Sequence, residues 1–223
     1  MNQMIAAVFI LATLLPALSG AQVTLTPPTA PKWDAAVSVG WLGTNKSNIG
    51  TEFNRWYDTA TVDAGAGRYL SPHVKIEFDV AAAVKARVLG FEPAFIPESP
   101  YTYPRTREHT FQTVGVSGGL AYQFFENAWF HPFVGVGIAV IHETHRAERL
   151  PAEFRFVDVL RPPALLPELP RIDTSTTVAR PLMTAGFKAY ATERLFFRTE
   201  LRVTASSDGA ESVAWRGGMG VDF

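Results

Sequence analysis

The stretch His73-Val-Lys-Ile-Glu-Phe-Asp-Val-Ala-Ala-Ala-Val-Lys-Ala-Arg-Val-Leu89 decides the fold. Its even positions carry Val74, Ile76, Phe78, Val80, Ala82, Val84, Ala86 and Val88, and the odd positions between them carry Lys75, Glu77, Asp79, Ala81, Ala83, Lys85 and Arg87. Side chains on a strand alternate faces with a period of two, so one face is wholly apolar and the other charged or small. A helix would scatter the same charges around its circumference. The spacing predicts a long strand.

Working outward, the rest of the chain supplies strands of the same kind. Strands are expected near 33–42, 59–70, 109–125, 132–142, 176–191, 195–203 and 213–223, each with an apolar row opposite a row of small or charged residues. Connections alternate long and short: 43–57 is polar, Ser71-Pro72 is tight, and 126–131 and Thr192-Glu193 are brief. The segment 90–108 holds Pro93, Pro97, Pro100 and Pro104, which argues against a central strand there, and 143–173 reads as irregular with five prolines. Antiparallel strands with tight turns at one end place every long loop at the other. The expected fold is an all-β, eight-stranded antiparallel up-and-down transmembrane barrel.

Composition narrows the function classes. The 223 residues carry a formal net charge of -1 and no cysteine. There is thus no electrostatic case for nucleic acid, and no disulfide, thiolate or cysteine-metal chemistry. Beyond residue 15 no apolar run approaches the ~20 residues of a spanning helix. A membrane role must come from strands, because only helices and closed barrels satisfy their backbone groups in lipid. The N-terminus differs: Ile5 to Leu15 is apolar and is followed by Pro16 and Ser19-Gly20-Ala21. Residues 1–21 are expected to be a secretory signal peptide, 22–32 an extended proline-containing leader, and 33–223 the barrel.

Alternation alone does not say which face points inward; a soluble carrier would bury the apolar row and a membrane barrel would display it. The polar rows are rich in Gly65, Gly67, Gly115, Gly119, Gly135, Gly137, Gly186, Gly218 and Gly220, which suit a cramped lumen and not a watery surface. The charges among them nearly balance: Asp63, Glu77, Asp79, Glu200 and Asp222 against Lys75, Lys85, Arg87, Lys188, Arg198, Arg202 and Arg216. Enclosed charges are tolerable when paired, so these twelve are expected to form a structural lumen network. Trp33, Phe124, Phe125, Trp129, Phe130, Phe133, Phe196, Phe197 and Phe223 gather at the short-turn end, as expected of an interfacial girdle.

With these features, and a last strand ending Met219-Gly220-Val221-Asp222-Phe223, the chain resembles small bacterial outer-membrane β-barrels of the OmpA/OmpX-like and opacity-protein-like group. The resemblance implies contact with outer-membrane lipid and lipopolysaccharide. It also implies that Val221 and Phe223 belong to a signal read by the outer-membrane assembly machinery. It speaks for architecture far more than for activity.

Candidate chemistry is sparse. His142-Glu143-Thr144-His145 lacks the His-Glu-x-x-His spacing and the helix that aligns two metal imidazoles. A Ser-His-acid set would draw on His142, Glu143 and Ser206 or Ser207. Lipid A deacylases of this barrel class carry a His-x-Ser pair, and none of the five histidines begins one. The expectation is a monomer without catalysis, cofactor or metal, acting through loops 43–57, 90–108 and 143–173 on an extracellular ligand. The competing readings are a lipid-modifying or proteolytic outer-membrane enzyme and a soluble lipocalin-like carrier.

Overall fold

The computed structural model describes residues 32–45, 56–95, 102–124, 129–155, 164–207 and 209–223. The expected signal peptide, and the leader up to residue 31, lie outside the described residues. The strands are β1 (Trp33–Asn45), β2 (Trp56–Tyr69), β3 (Val74–Ala83), β4 (Ala86–Phe95), β5 (Thr102–Gln123) and β6 (Phe130–Ala147). They continue as β7 (Glu153–Arg155), β8 (Ala164–Leu166), β9 (Ile172–Tyr190), β10 (Leu195–Ser206) and β11 (Gly209–Asp222). β3 and β4 occupy one place in the ring, since both pair with β5, and β7 with β8 forms a separate small ribbon. The ring therefore has eight antiparallel members, closed by β1 against β11 from Asp34↔Asp222 to Thr44↔Ser212.

The apolar rows face outward. Val39, Val62, Phe78, Val116, Val136, Met183 and Trp215, from seven different strands, are each more than half exposed. Inward positions of the barrel wall are buried and include Lys75, Lys188, Glu200 and Arg202. A water-soluble barrel has the reverse arrangement, so this one presents its apolar belt to lipid. Trp33, Phe124, Trp129, Phe197 and Phe223 stand exposed at the short-turn end. Phe133 and Phe196 do not join that girdle; both point into the lumen and are buried.

The opening stretch is not one uninterrupted strand. Ala82 faces Val114 while Ala86 faces Phe111, so three residues, 83–85, oppose two, 112 and 113. One extra residue is a β-bulge, and it reverses which parity points inward. Beyond it Ala86 is buried and the Arg87 side chain is 68% exposed, 3.7 Å from Glu108. Lys85 is exposed as well. Neither belongs to the lumen, a correction to the strict alternation read from the sequence.

The proline-rich segment is also more regular than expected. β4 and β5 continue pairing through Pro93↔Pro104 to Phe95↔Thr102. Among the described residues β4 has β5 as its one ladder partner, so Pro93 sits on an edge where no second hydrogen-bonding neighbour is lost. Likewise β6 and β9 run on to Ala147↔Ile172, which leaves a shorter connection that contains β7 and β8.

Candidate functional site: lumen network and outer platform

Two constellations emerge from the inward row. The first fills the lumen near the short turns. Asp34 receives Lys75 at 2.7 Å and is also bonded by Lys188, which reaches the Tyr69 hydroxyl at 2.8 Å and Asp222 at 3.5 Å. The Tyr190 hydroxyl donates to Asp222, and the Lys188 ammonium stands 3.9 Å from the ring centroid of Phe196. Above this layer Arg198 grips Glu77 in a two-pronged contact at 2.8 and 3.0 Å and Glu200 at 2.6 Å. Arg202 bonds Glu200, reaches Asp79 at 2.7 Å and donates to Ser117 at 3.0 Å. Arg216 lies 3.2 Å from Asp63. Ions this enclosed need partners of opposite charge close by, and this lattice links strands that the backbone ladder leaves apart.

Ten of the twelve residues named from the sequence meet here; Lys85 and Arg87 do not. Asp34, the hub, is absent from those twelve, although its parity on β1 places it on the inward row. Tyr69 and Tyr190 are absent too, because an aromatic row-mate gives no sign of being a polar partner. The network leaves little room: the void among Asp34, Asp63, Glu77, Arg198 and Glu200 measures about 10 Å³, close to one water.

Higher in the lumen the wall changes to hydroxyls and small apolar side chains, around a cavity of about 270 Å³. At its upper level the Tyr57 hydroxyl donates across the barrel to Glu143 at 3.2 Å. Tyr57 stacks on Phe111, Phe111 on His145, and His145 on His109. The tempting polar cluster is thereby taken apart by strand alternation. His142 faces outward and meets Thr177 at 2.9 Å, whereas Glu143 and His145 point inward. Ser206 and Ser207 sit at the β10–β11 turn, on strands not paired with β6. Among the described residues no group of His, Asp or Glu has metal-site geometry.

The second constellation stands beyond the belt. Arg105 donates to the carbonyls of Pro167 at 2.7 Å and Pro151 at 2.9 Å. Arg107 donates to the carbonyls of Pro170 at 2.6 Å and Glu148 at 3.3 Å, and to the Glu92 carboxylate at 3.0 Å through Nε. Both guanidiniums are buried, as are Tyr103 and Leu166. These bonds tie the β4–β5 ribbon to the β6–β9 connection. Proline carbonyls in a loop have no ladder partner, so a buried arginine is a good way to satisfy them. Burial pushes the His109 imidazole below its ordinary value; Glu92 opposes that shift, and His145 and Arg107 reinforce it.

This geometry defines a closed eight-stranded antiparallel transmembrane β-barrel. No protein-family model matches the chain, and no curated protein does. Solved structures do. Neisserial surface protein A is similar over 86% of this chain and 97% of its own, at 10% identity and a TM-score of 0.50. The N-terminal β-barrel domain of Pseudomonas aeruginosa OprF aligns over 86% and 98%, at 12% identity and 0.46. Ail, the attachment invasion locus protein of Yersinia pestis, solved with the heparin analogue sucrose octasulfate, aligns over 86% and 99%, at 10% and 0.49. At these identities the likeness is one of fold.

Proposed function

We propose that this chain is an integral protein of the bacterial outer membrane, monomeric and non-catalytic, that presents a fixed platform for surface interaction. The observation that carries this reading is the pair of buried arginines, Arg105 and Arg107, spent on loop carbonyls. A connection serving only to join two strands has no need of such fastening; a recognition surface does, because ordering it beforehand lowers the entropy lost on binding. The platform carries Phe154 on β7 directly opposite Leu165 on β8, each 63% exposed. Exposed paired apolar side chains of this size suit contact with a partner. Lipid and lipopolysaccharide surround the belt, and the outward-facing Val221 and Phe223 form the signal for assembly.

The test replaces 148–171 by a short Gly-Ser turn in a non-adherent bacterium that displays the protein. The variant should still fractionate with the outer membrane and keep a boiling-dependent gel shift, while adherence to matrix-coated surfaces falls to background. Adherence equal to the parent's would overturn the platform reading, and a soluble periplasmic product from the parent would overturn the membrane placement.

A further inference from the structure

The outer half of the lumen holds a cavity of about 270 Å³ that the surface platform does not use. Its wall combines Leu42, Ile141, Val178 and Leu182 with hydroxyls such as Thr176 and Ser212. Below it the free space narrows to the single-water void of the ionic network, so the lower end is closed.

The ring is uneven at this level. β10 and β11 turn between Ser206 and Gly209, just beyond the belt pair Val203↔Val213. β9 continues past its last pair with β10, Thr204↔Leu182, as far as Ile172, and over that length β6 is its one ladder partner among the described residues. The low rim lies beside Arg180 and Glu211, both partly exposed, and Thr176 is exposed there. On the other side of the barrel the stacked Tyr57 and Phe111 are buried and close the wall. Among the described residues the cavity thus has a side mouth at the outer edge of the apolar belt, within reach of molecules that collect at a membrane surface.

The charges in the wall are already matched. Glu211 holds Arg180, Arg202 is held by Glu200 and Asp79, Arg216 lies beside Asp63 and Glu200, and Glu143 accepts from Tyr57. A charged solute would give up its water with no counter-ion waiting, which disfavours ions of either sign. One polar group is left over. The hydroxyls of Thr204 and Ser212, both in the cavity wall, lie 2.6 Å apart. One donates to the other, and the second hydroxyl hydrogen has no acceptor among the described residues. Ser212 is only half-buried, so the pair is within reach of a solute.

We infer that this cavity binds a small uncharged molecule with an apolar body and a hydrogen-bond-accepting head, such as a ketone or an ester. The hydrocarbon lies against Ile141, Val178 and Leu182, and the oxygen accepts from the Thr204–Ser212 pair. Pockets for drug-sized ligands begin at about 300 Å³, so this ligand is smaller than that class. The inference rests on the barrel interior and is independent of the platform.

The experiment places the full barrel in phosphatidylcholine nanodiscs with ¹³C-methyl isoleucine and titrates 2-hexanone, hexanoate and hexylammonium. Ile141 faces the cavity, whereas Ile138 on the same strand is 59% exposed on the belt and reports simple partitioning into lipid. The Ile141 methyl, assigned by its loss in Ile141→Val, should shift saturably with 2-hexanone while Ile138 does not. The two ions should bind at least tenfold more weakly. Ala214→Leu, which fills the cavity, should abolish the shift. Ser212→Leu, near the β10–β11 turn, should do the same and serves if the Ala214 variant fails to fold. No saturable Ile141 shift, parallel movement of Ile138, an equal response to either ion, or binding retained in a folded filled variant would overturn the inference.

Discussion

The two halves of the lumen are built from one alternating pattern and solve opposite problems. Toward the short turns the inward row is long and ionic, and lysine, arginine and carboxylate interlock until about one water fits between them. Toward the outer loops the row is mostly Thr, Ser, Ala and a few larger apolar residues, with fewer charges such as the Arg180–Glu211 pair, and a cavity of about 270 Å³ opens. Charged side chains in the lower half reach one another across the barrel; hydroxyls in the upper half are too short to do so. The difference teaches that in a narrow barrel, side-chain length more than polarity decides whether the interior is a plug or a pocket.

The largest expected effect tests the plug. Arg198→Met removes a guanidinium shared by Glu77 and Glu200 and leaves both carboxylates buried. Loss of one member of such a set costs about 3–5 kcal/mol, to be read from urea unfolding of the refolded barrel. Arg180→Met breaks a pair in the upper half that is partly exposed, at 28% and 19%. It should cost no more than about 1 kcal/mol. Equal losses at the two sites would remove the distinction between the halves.

A second contrast uses adjacent glycines on opposite faces. A Cβ at Gly218 would stand 2.1 Å from the Val37 carbonyl and 2.7 Å from Ser38 Cα, so backbone must move. Gly218→Ala should cost about 1–3 kcal/mol, as overpacking does. A Cβ at Gly217 meets nothing within 4 Å. Gly217→Val should leave stability unchanged or raise it by up to about 1 kcal/mol, since glycine is a poor strand former.

A smaller effect concerns the cap above the pocket. His109 is buried between Glu92, Arg107 and His145, and its pKa lies below the ordinary 6.5. A folded-state pKa below the unfolded one means the unfolded form binds the extra proton. The stability tied to His109 is therefore present above about pH 6.5 and declines as pH falls toward the folded value. Proteolytic nicking within 148–171 should speed up several-fold between pH 7.5 and 5, and His109→Gln should flatten that dependence. The smallest effect is at Arg87, whose pairing with Glu108 is solvent-exposed. Arg87→Ala should change stability by about 0.5 kcal/mol or less, whereas a lumen residue would cost several times that.

Much of this architecture is legible in the amino-acid sequence. The alternation from Val74 to Ala83, the terminal Met219 to Phe223 and the segregation of long loops lead to the ring of eight and its inside-out polarity. Ten of the network's charges follow from parity alone. The failures share one cause. Lys85 and Arg87 continue the alternation of Lys75 and Glu77 without a break, and nothing local marks the extra residue that turns them to water. Phe133 and Phe196 look like girdle residues by type, but parity and ring position carry them inside.

What the sequence by itself determined is the strand period, the apolar belt and the set of residues eligible for the lumen, because these depend on chemistry repeated at a fixed step along one chain. Which arginine grips which carboxylate was decided only by the tertiary structure. So were the bulge after Ala83, the fastening of proline carbonyls by Arg105 and Arg107, and the cavity beside Arg216. Each depends on register between strands far apart in sequence, and a shift of one residue in that register changes every partner while leaving the local pattern intact.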